Sequence, residues 1–333
     1  MALKRKSLKY RSNIFKAVSL RLCEILWYIM CLNLLPEKPK FVTSTPSSEQ
    51  KKESPSDNIV ADSNPELPDL PMDDGLPSTV TVLDAPNGGK VYLVGTAHFS
   101  LQSQEDVSRV IQEVNPHIVM VELCEQRTNI LLLDEEIILR EAKNINIKKI
   151  RYNGVFNGLM YILLLNMSAH ITRELGMAPG GEFRRAMAEA KKIPNCIVQL
   201  GDRAIDITLH RAIASLSWGQ TIRFVWHLLT SNQSISIEEV EKCKQKKMLE
   251  DMLEEMAEEF PALKRVFVVE RDMYLCHSLQ VATLPGGLCR REPCRIVGVV
   301  GIGHVAGIAE HWGKMQPEDI PPLLKYVTSF VQP

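Results

Sequence analysis

Two glycine–histidine strings, Gly95-Thr96-Ala97-His98 and Gly301-Ile302-Gly303-His304, hold the side chains best suited to chemistry in this 333-residue chain. Each follows an apolar run that reads as a buried strand, residues 91–94 before the first and 296–300 before the second. A histidine just past a strand end is held by rigid backbone. It also faces the edge at which open α/β sheets bind ligands. Glu122 ends a third apolar run, Ile118–Val121, and Asp202 with Arg203 follows a fourth, Ile197–Leu200. Glu182 adds a carboxylate on the glycine-rich break Gly180-Gly181. Two imidazoles and one carboxylate, Glu122 or Glu182, are a common ligand set for a catalytic divalent ion with an open position. The other carboxylate is then available as general base toward water.

Each of these residues also has a plainer reading. Either histidine serves equally as a hydrogen-bonded loop residue. Glu122 can pair with Arg127 five residues on, and Asp202 can cap the helix that follows it. Gly301 and Gly303 hint at a nucleotide loop, but the third glycine and the Walker lysine are missing.

The elements that must position these groups alternate along the chain. Residues 80–83 and 91–94, joined by Asn87-Gly88-Gly89, predict a β-hairpin. Residues 104–115 have helical apolar spacing, with Ser103 as N-cap and Pro116 as stop. Strand 118–121 follows, then a helix over 125–143, an apolar core helix over 155–167, and a helix from the Gly180-Gly181 break through Lys192. Strand 197–200 leads into helices over 204–230. A charged helix over 238–260 carries Met248, Met252, Met256 and Phe260 on one face. A helix over 264–279, a strand over 295–300 and a helix over 305–312 close the pattern. This order predicts an α/β fold: a central mixed or parallel sheet with helical crossovers and a large helical insertion.

The folded part is residues 79–325, with a short tail at 326–333. Before it, residues 36–78 are acidic and rich in Pro and Ser, with eight Asp/Glu against two lysines over 41–78, and read as a disordered linker. Residues 1–40 hold nine Lys/Arg against Glu24 and Glu37, and an eleven-residue apolar run spans 25–35. Segment 1–35 therefore fits a targeting helix, an amphipathic helix on a membrane surface, a signal peptide or an exposed tail. Its apolar run is well short of the ~20 residues needed to cross a bilayer. The whole chain has a net charge of −1, with 45% hydrophobic and 24% charged residues. The folded part offers no broad basic face for nucleic acid. The eight cysteines show no CxxC or zinc-finger spacing, and reduced thiols facing the cytosol are expected.

Taken together, Gly-Thr-Ala-His-Phe-Ser (95–100), Val-Glu-Leu-Cys (121–124) with Arg127, Gly-Gly-Glu-Phe-Arg (180–184), Leu-Gly-Asp-Arg (200–203), Val-Glu-Arg-Asp (269–272) and Gly-Ile-Gly-His (301–304) resemble the TraB/PrgY family, in particular its animal TraB-domain members. The resemblance covers about residues 79–325. It implies kinship with the Tiki metal-dependent peptidases, in which paired Gly-x-x-His motifs are part of the site, and with the erythromycin-esterase-like superfamily. It implies a site core of His98, Glu122 and His304, with Glu182, Arg127, Asp202, Arg203 and Arg271 as supports. It also implies association with mitochondria, including the outer membrane and its contacts with the endoplasmic reticulum.

Two functions from different classes follow. In the first, the domain is a hydrolase of peptide or amide bonds, with Mn²⁺, Co²⁺ or Zn²⁺ held by His98, His304 and a carboxylate. Arg127, Arg203 or Arg271 then holds an anionic substrate end or a developing oxyanion. In the second, it is a non-enzymatic adaptor or tether at the mitochondrial surface that binds a peptide or protein partner. Convergence of the strand-end groups within metal-bonding reach favours the first reading, and scatter favours the second.

Overall fold

The computed structural model describes residues 75–97, 100–132, 172–173, 178, 180–220, 223, 260–284, 288 and 293–326. His98, segment 1–35, the linker up to residue 74, the helix expected over 155–167, all but Phe260 of the helix expected over 238–260, and the end of the tail lie outside the described residues.

Strand β1 (Val80–Asp84) pairs antiparallel with β2 (Lys90–Thr96), as the Asn-Gly-Gly turn predicts. Gly88 takes the left-handed φ of 80° that this turn requires. Helix α1 (Leu101–Val114) buries Val107, Val110, Ile111 and Val114. It starts three residues before the expected point, because Ser100 and not Ser103 is the cap. Ser100 Oγ accepts the Ser103 N–H at 3.0 Å, and Ser103 Oγ turns back to accept the Ala97 N–H at 3.0 Å. Asn115, at φ 46°, ends the helix just before Pro116.

Strand β3 (Ile118–Val121) is followed by a 3₁₀ segment, Glu125–Leu132, where an α-helix was expected. The segment tightens around the bond from Arg127 N–H to Cys124 O at 2.9 Å, which closes an i→i+3 ring. After it come α2 (Gly181–Ala190), β4 (Ile197–Leu200) and α3 (Ile205–Ser215). The single helix expected over 264–279 is three pieces: α4 (Pro261–Lys264), a π turn (Arg265–Val269) and α5 (Glu270–Thr283). Strand β5 (Arg295–Gly301) runs straight into α6 (Ile302–His311). His304 therefore sits in the first turn of a helix and not in a loop. A short 3₁₀ turn (Pro317–Asp319) and α7 (Ile320–Leu324) follow.

The sheet order is β1-β2-β5-β3-β4, and every pairing except β1–β2 is parallel. The fold is thus α/β with a mixed five-stranded sheet. Side-chain alternation divides the core between the two faces. Tyr92, Val94, Val119, Val121, Val297 and Val299 pack with the buried residues of α1 and α2. Val91, Leu93, Ile118, Met120, Ile296 and Val300 pack with Leu275, Leu279 and Ile308 of α5 and α6. Each fully buried aliphatic side chain contributes about 1.5–3 kcal/mol. These two layers are what hold the strand ends in place.

Helix α5 is unusual in burying Glu270, Arg271 and Asp272 in succession. Successive residues lie about 100° apart around a helix. Three buried in a row require protein on most of its circumference, so α5 is embedded, with no water-facing stripe over its first turn.

Candidate functional site

The carboxyl ends of β4, β3 and β5 lie side by side and deliver Asp202, Glu122 and His304. Glu122 continues the β3 ladder through its N–H to Val299 O at 3.1 Å. This backbone bond aims the side chain at the start of α6, where Oε2 accepts the Gly301 N–H at 2.6 Å. A methyl on Gly301 would meet that oxygen at 3.3 Å, so glycine permits the close approach. Gly201 N–H to Val121 O at 3.0 Å and Asp202 N–H to Leu123 O at 3.1 Å fix the end of β4 in the same way.

Arg271, reaching in from α5, is the hub. Its Nη2 donates to Glu122 Oε1 and, at 2.8 Å, to Asp202 Oδ2. Nε donates to Asp202 Oδ1 at 3.2 Å and Nη1 to Phe267 O at 3.3 Å. Arg127 Nη2 donates to Asp202 Oδ2 and to the Glu122 backbone O at 2.9 Å. Glu122 therefore does not pair with Arg127 through its carboxylate. Asp202 does not cap α3 either, whose N-cap is Ala204 with no side-chain bond. Both carboxylates turn inward to the arginines.

His304 is fully buried between two carboxylates. Nδ1 lies 2.5 Å from Asp272 Oδ1, and Nε2 lies 3.3 Å from Glu122 Oε1 and 3.1 Å from Arg271 Nη1. Burial opposes charge on the ring, but Glu122 and Asp272 outweigh burial and the repulsion of Arg271, holding the imidazole up to about 9. Burial also pushes Asp272 up, against the pull of His304. Both shifts keep a proton between Asp272 and Nδ1. Nε2 faces both Glu122 Oε1 and Arg271 Nη1. Asp202 moves the other way: burial pushes it up, but Arg271 and then Arg127 hold it below the usual carboxylate range. The cluster thus gathers the carboxyl groups of Glu122, Asp202 and Asp272, two guanidiniums and the His304 ring.

Arg203 is buried but directed away from this cluster, toward Glu270 Oε2 at 2.8 Å, Thr208 Oγ1 at 3.0 Å and the carbonyls of Leu323 and Val266. Arg211 closes the far side of Glu270 with two bonds of 2.7 Å. A cavity of about 490 Å³ opens beside this outer pair, lined by Arg211, Ser215, Arg265 and Glu270. Glu182 is buried on a separate element, the first turn of α2. His98 lies outside the described residues. It follows β2, which pairs with β5 in the register Thr96↔Gly301.

Two further residues build the site without having been read as part of it. Asp272 orients the His304 ring. Gly307, one turn of α6 beyond His304, makes room for Asp272, since a methyl there would overlap the carboxylate. The available signals were the charged triplet Glu270-Arg271-Asp272 inside an apolar stretch and the Gly303-x-x-x-Gly307 spacing.

Among the described residues, no group of three His, Cys, Asp or Glu side chains is placed to hold a metal ion. The two donors that the sequence assigned to such an ion do fit part of the requirement. His304 Nε2 and Glu122 Oε1 are 3.3 Å apart. Asp272 behind Nδ1 is the carboxylate–histidine arrangement that orients a ligating imidazole. Binding at Nε2 requires Arg271 to withdraw. A third donor would have to come from beyond the described residues, where His98 lies.

The sequence profile of the TraB/PrgY/gumN family matches residues 81–321. TraB domain-containing proteins of mouse and human are each 50% identical to this chain over 249 residues, covering 71% of it and 66% of their own length. An uncharacterised protein of Methanocaldococcus jannaschii is 30% identical over 239 residues, covering 71% of this chain and 57% of that protein. The matched region therefore spans just under two thirds of the mouse and human proteins.

Proposed function

Since the chain belongs to the TraB/PrgY/gumN family, we propose that its domain is a metal-dependent hydrolase of peptide or amide bonds, working at Glu122 and His304. One observation carries this reading: Glu122 and His304 from adjacent strand ends come within 3.3 Å, with Asp272 fixing the ring from behind. His304 Nε2, Glu122 Oε1 and His98 would hold a divalent ion such as Zn²⁺, Mn²⁺ or Co²⁺, which supplies a Lewis acid for a substrate carbonyl. Asp272 keeps the Nδ1 proton and so presents Nε2 to the site. Glu182, the other carboxylate, would take a proton from attacking water. Arg127 and Arg271 set the position of Glu122 through its carbonyl and its carboxylate, and Asp202 holds both guanidiniums in place.

The test is metal content of the purified full chain, with His98→Ala and His304→Ala alongside. The expected result is roughly one ion per chain in the parent and a loss in both variants, together with cleavage of a mixed peptide library by the parent alone. Equal metal content in all three proteins refutes the reading.

A second reading, an adaptor at the mitochondrial outer membrane, is favoured by a different observation. Glu122 and Asp202 are already matched by buried arginines inside the domain, as structural ion pairs are. Among the described residues no helix is long and apolar enough to cross a membrane, and this reading assigns attachment to segment 1–35. Removing residues 1–40 then releases the protein from the organelle surface. An unchanged distribution on imaging removes that segment as the address.

A further inference from the structure

We propose that Arg271 is a built-in rival of the metal: its guanidinium occupies the Glu122–His304 pair and must shift toward Asp202 for a divalent ion to bind. This rests on the metal reading above and adds its regulation.

From one position the side chain holds partners on two sides. On one side, Nη2 is bonded to Glu122 Oε1 and Nη1 lies 3.1 Å from His304 Nε2. These are the same two atoms that the metal reading assigns as ligands. Ligand bonds of about 2 Å leave no room for a second cation in contact with both atoms. On the other side, Asp202 accepts from Nε at 3.2 Å and from Nη2 at 2.8 Å, and Phe267 O accepts from Nη1 at 3.3 Å. A guanidinium that lets go of Glu122 and His304 therefore keeps a two-point partner, and it need not be left as an unpaired buried charge. Asp202 stands at the end of β4, the strand next to β3, so the shift is away from β5 and toward β4.

The charge count points the same way. Glu122 and Asp202 are already paired with the guanidiniums of Arg271 and Arg127. A divalent ion entering at Glu122 and His304 has to drive positive charge off those two atoms first. The expected consequence is that the parent binds a divalent ion more weakly than the same domain without the Arg271 guanidinium.

Cobalt titration of the chelator-treated full chain, followed by visible absorption and calorimetry, tests this. Arg271→Met is expected to bind Co²⁺ at least about tenfold more tightly than the parent, a change of ~1.4 kcal/mol. Without metal it is expected to melt lower than the parent, and added Co²⁺ raises its melting temperature by more. Arg271→Lys keeps a charge for Asp202 but lacks the planar fork that reaches two atoms at once. It is expected to bind more tightly than the parent too, and it serves if the methionine variant does not fold. Parent protein that binds Co²⁺ as tightly as both variants overturns this proposal and leaves the metal reading standing. If neither the parent nor any Arg271 variant binds Co²⁺, both fall.

Discussion

Asp202→Asn isolates the electrostatic part of the strand-end cluster, because the substitution keeps shape and removes one charge. The carboxylate accepts from Arg127 Nη2, from Arg271 Nε and Nη2, and from the Arg203 N–H at 2.8 Å. The amide retains one acceptor oxygen and turns an NH₂ toward guanidiniums that have no lone pair to offer. Arg127 and Arg271 then lose the carboxylate they share, and Glu122 is the one still bonded to Arg271. Removing one partner of a buried ion pair costs about 3–5 kcal/mol. For a domain of this size each kcal/mol lowers the melting temperature by about 2–4 °C, so a fall of roughly 6–20 °C is expected. Circular dichroism melting at pH 7 measures it. Arg109→Gln is the control: the Arg109–Glu113 pair is exposed, and its loss is expected to cost no more than ~0.5 kcal/mol. The pH dependence has a definite sign. Asp202 is held below its ordinary value in the fold, so its contribution is fully present above the unfolded value of about 3.9 and is lost as pH falls through the folded one. The parent and Asp202→Asn curves therefore converge in acid. A loss under ~1 kcal/mol at pH 7 would refute the claim that Asp202 neutralises the two arginines.

Two other substitutions test neighbouring parts of the argument. In Gly307→Ala the new methyl displaces the Asp272 carboxylate from His304 and is expected to cost about 1–3 kcal/mol. That cost should largely disappear in an Asp272→Ala background, and strict additivity in the double-mutant cycle would show that the two sites are independent. Glu189 joins α2 to α1. Burial pushes its carboxyl up, but bonds from Lys192, Gln112 and Ser108 outweigh burial and hold it at about 2. Its stabilisation is present above the unfolded value of about 4.3 and fades as pH falls toward 2. The melting difference between the parent and Glu189→Gln should shrink over that range, and a constant difference would mean the carboxylate charge is not what matters.

What could be read from the sequence follows from which interactions are local. Strands 118–121 and 197–200 were legible because short apolar runs bounded by turn residues mark buried strands. Glu122 and Asp202 were found simply by standing at their ends. The hairpin was legible from Asn87-Gly88-Gly89, whose backbone demands few alternatives. Asp272 was missed because its role depends on a contact with His304, 32 residues later and on another helix. The start of α1 was misplaced because Ser100 and Ser103 are equally good caps by type, and only the fold decides which hydroxyl turns to the helix. The plainer alternatives for Glu122 and Asp202 failed for the same reason. Nearness in sequence favoured Arg127 for Glu122 and the next helix for Asp202, whereas packing of α5 brought Arg271 between them.

The cluster is costly for what it contributes to stability. Moving charged groups out of water costs several kcal/mol each, and a matched buried set often only recovers that cost. Apolar side chains of similar volume, as on the strand faces around Val121 and Val299, would hold β3, β4 and β5 together at least as well. Yet the carboxylates of Glu122, Asp202 and Asp272, the guanidiniums of Arg127 and Arg271 and the imidazole of His304 are gathered at the strand ends, where α/β sheets present their sites. Stability alone does not account for this placement. It is what a site needs if it must hold a histidine in one orientation, keep a carboxylate beside it, and balance their charge until something else does.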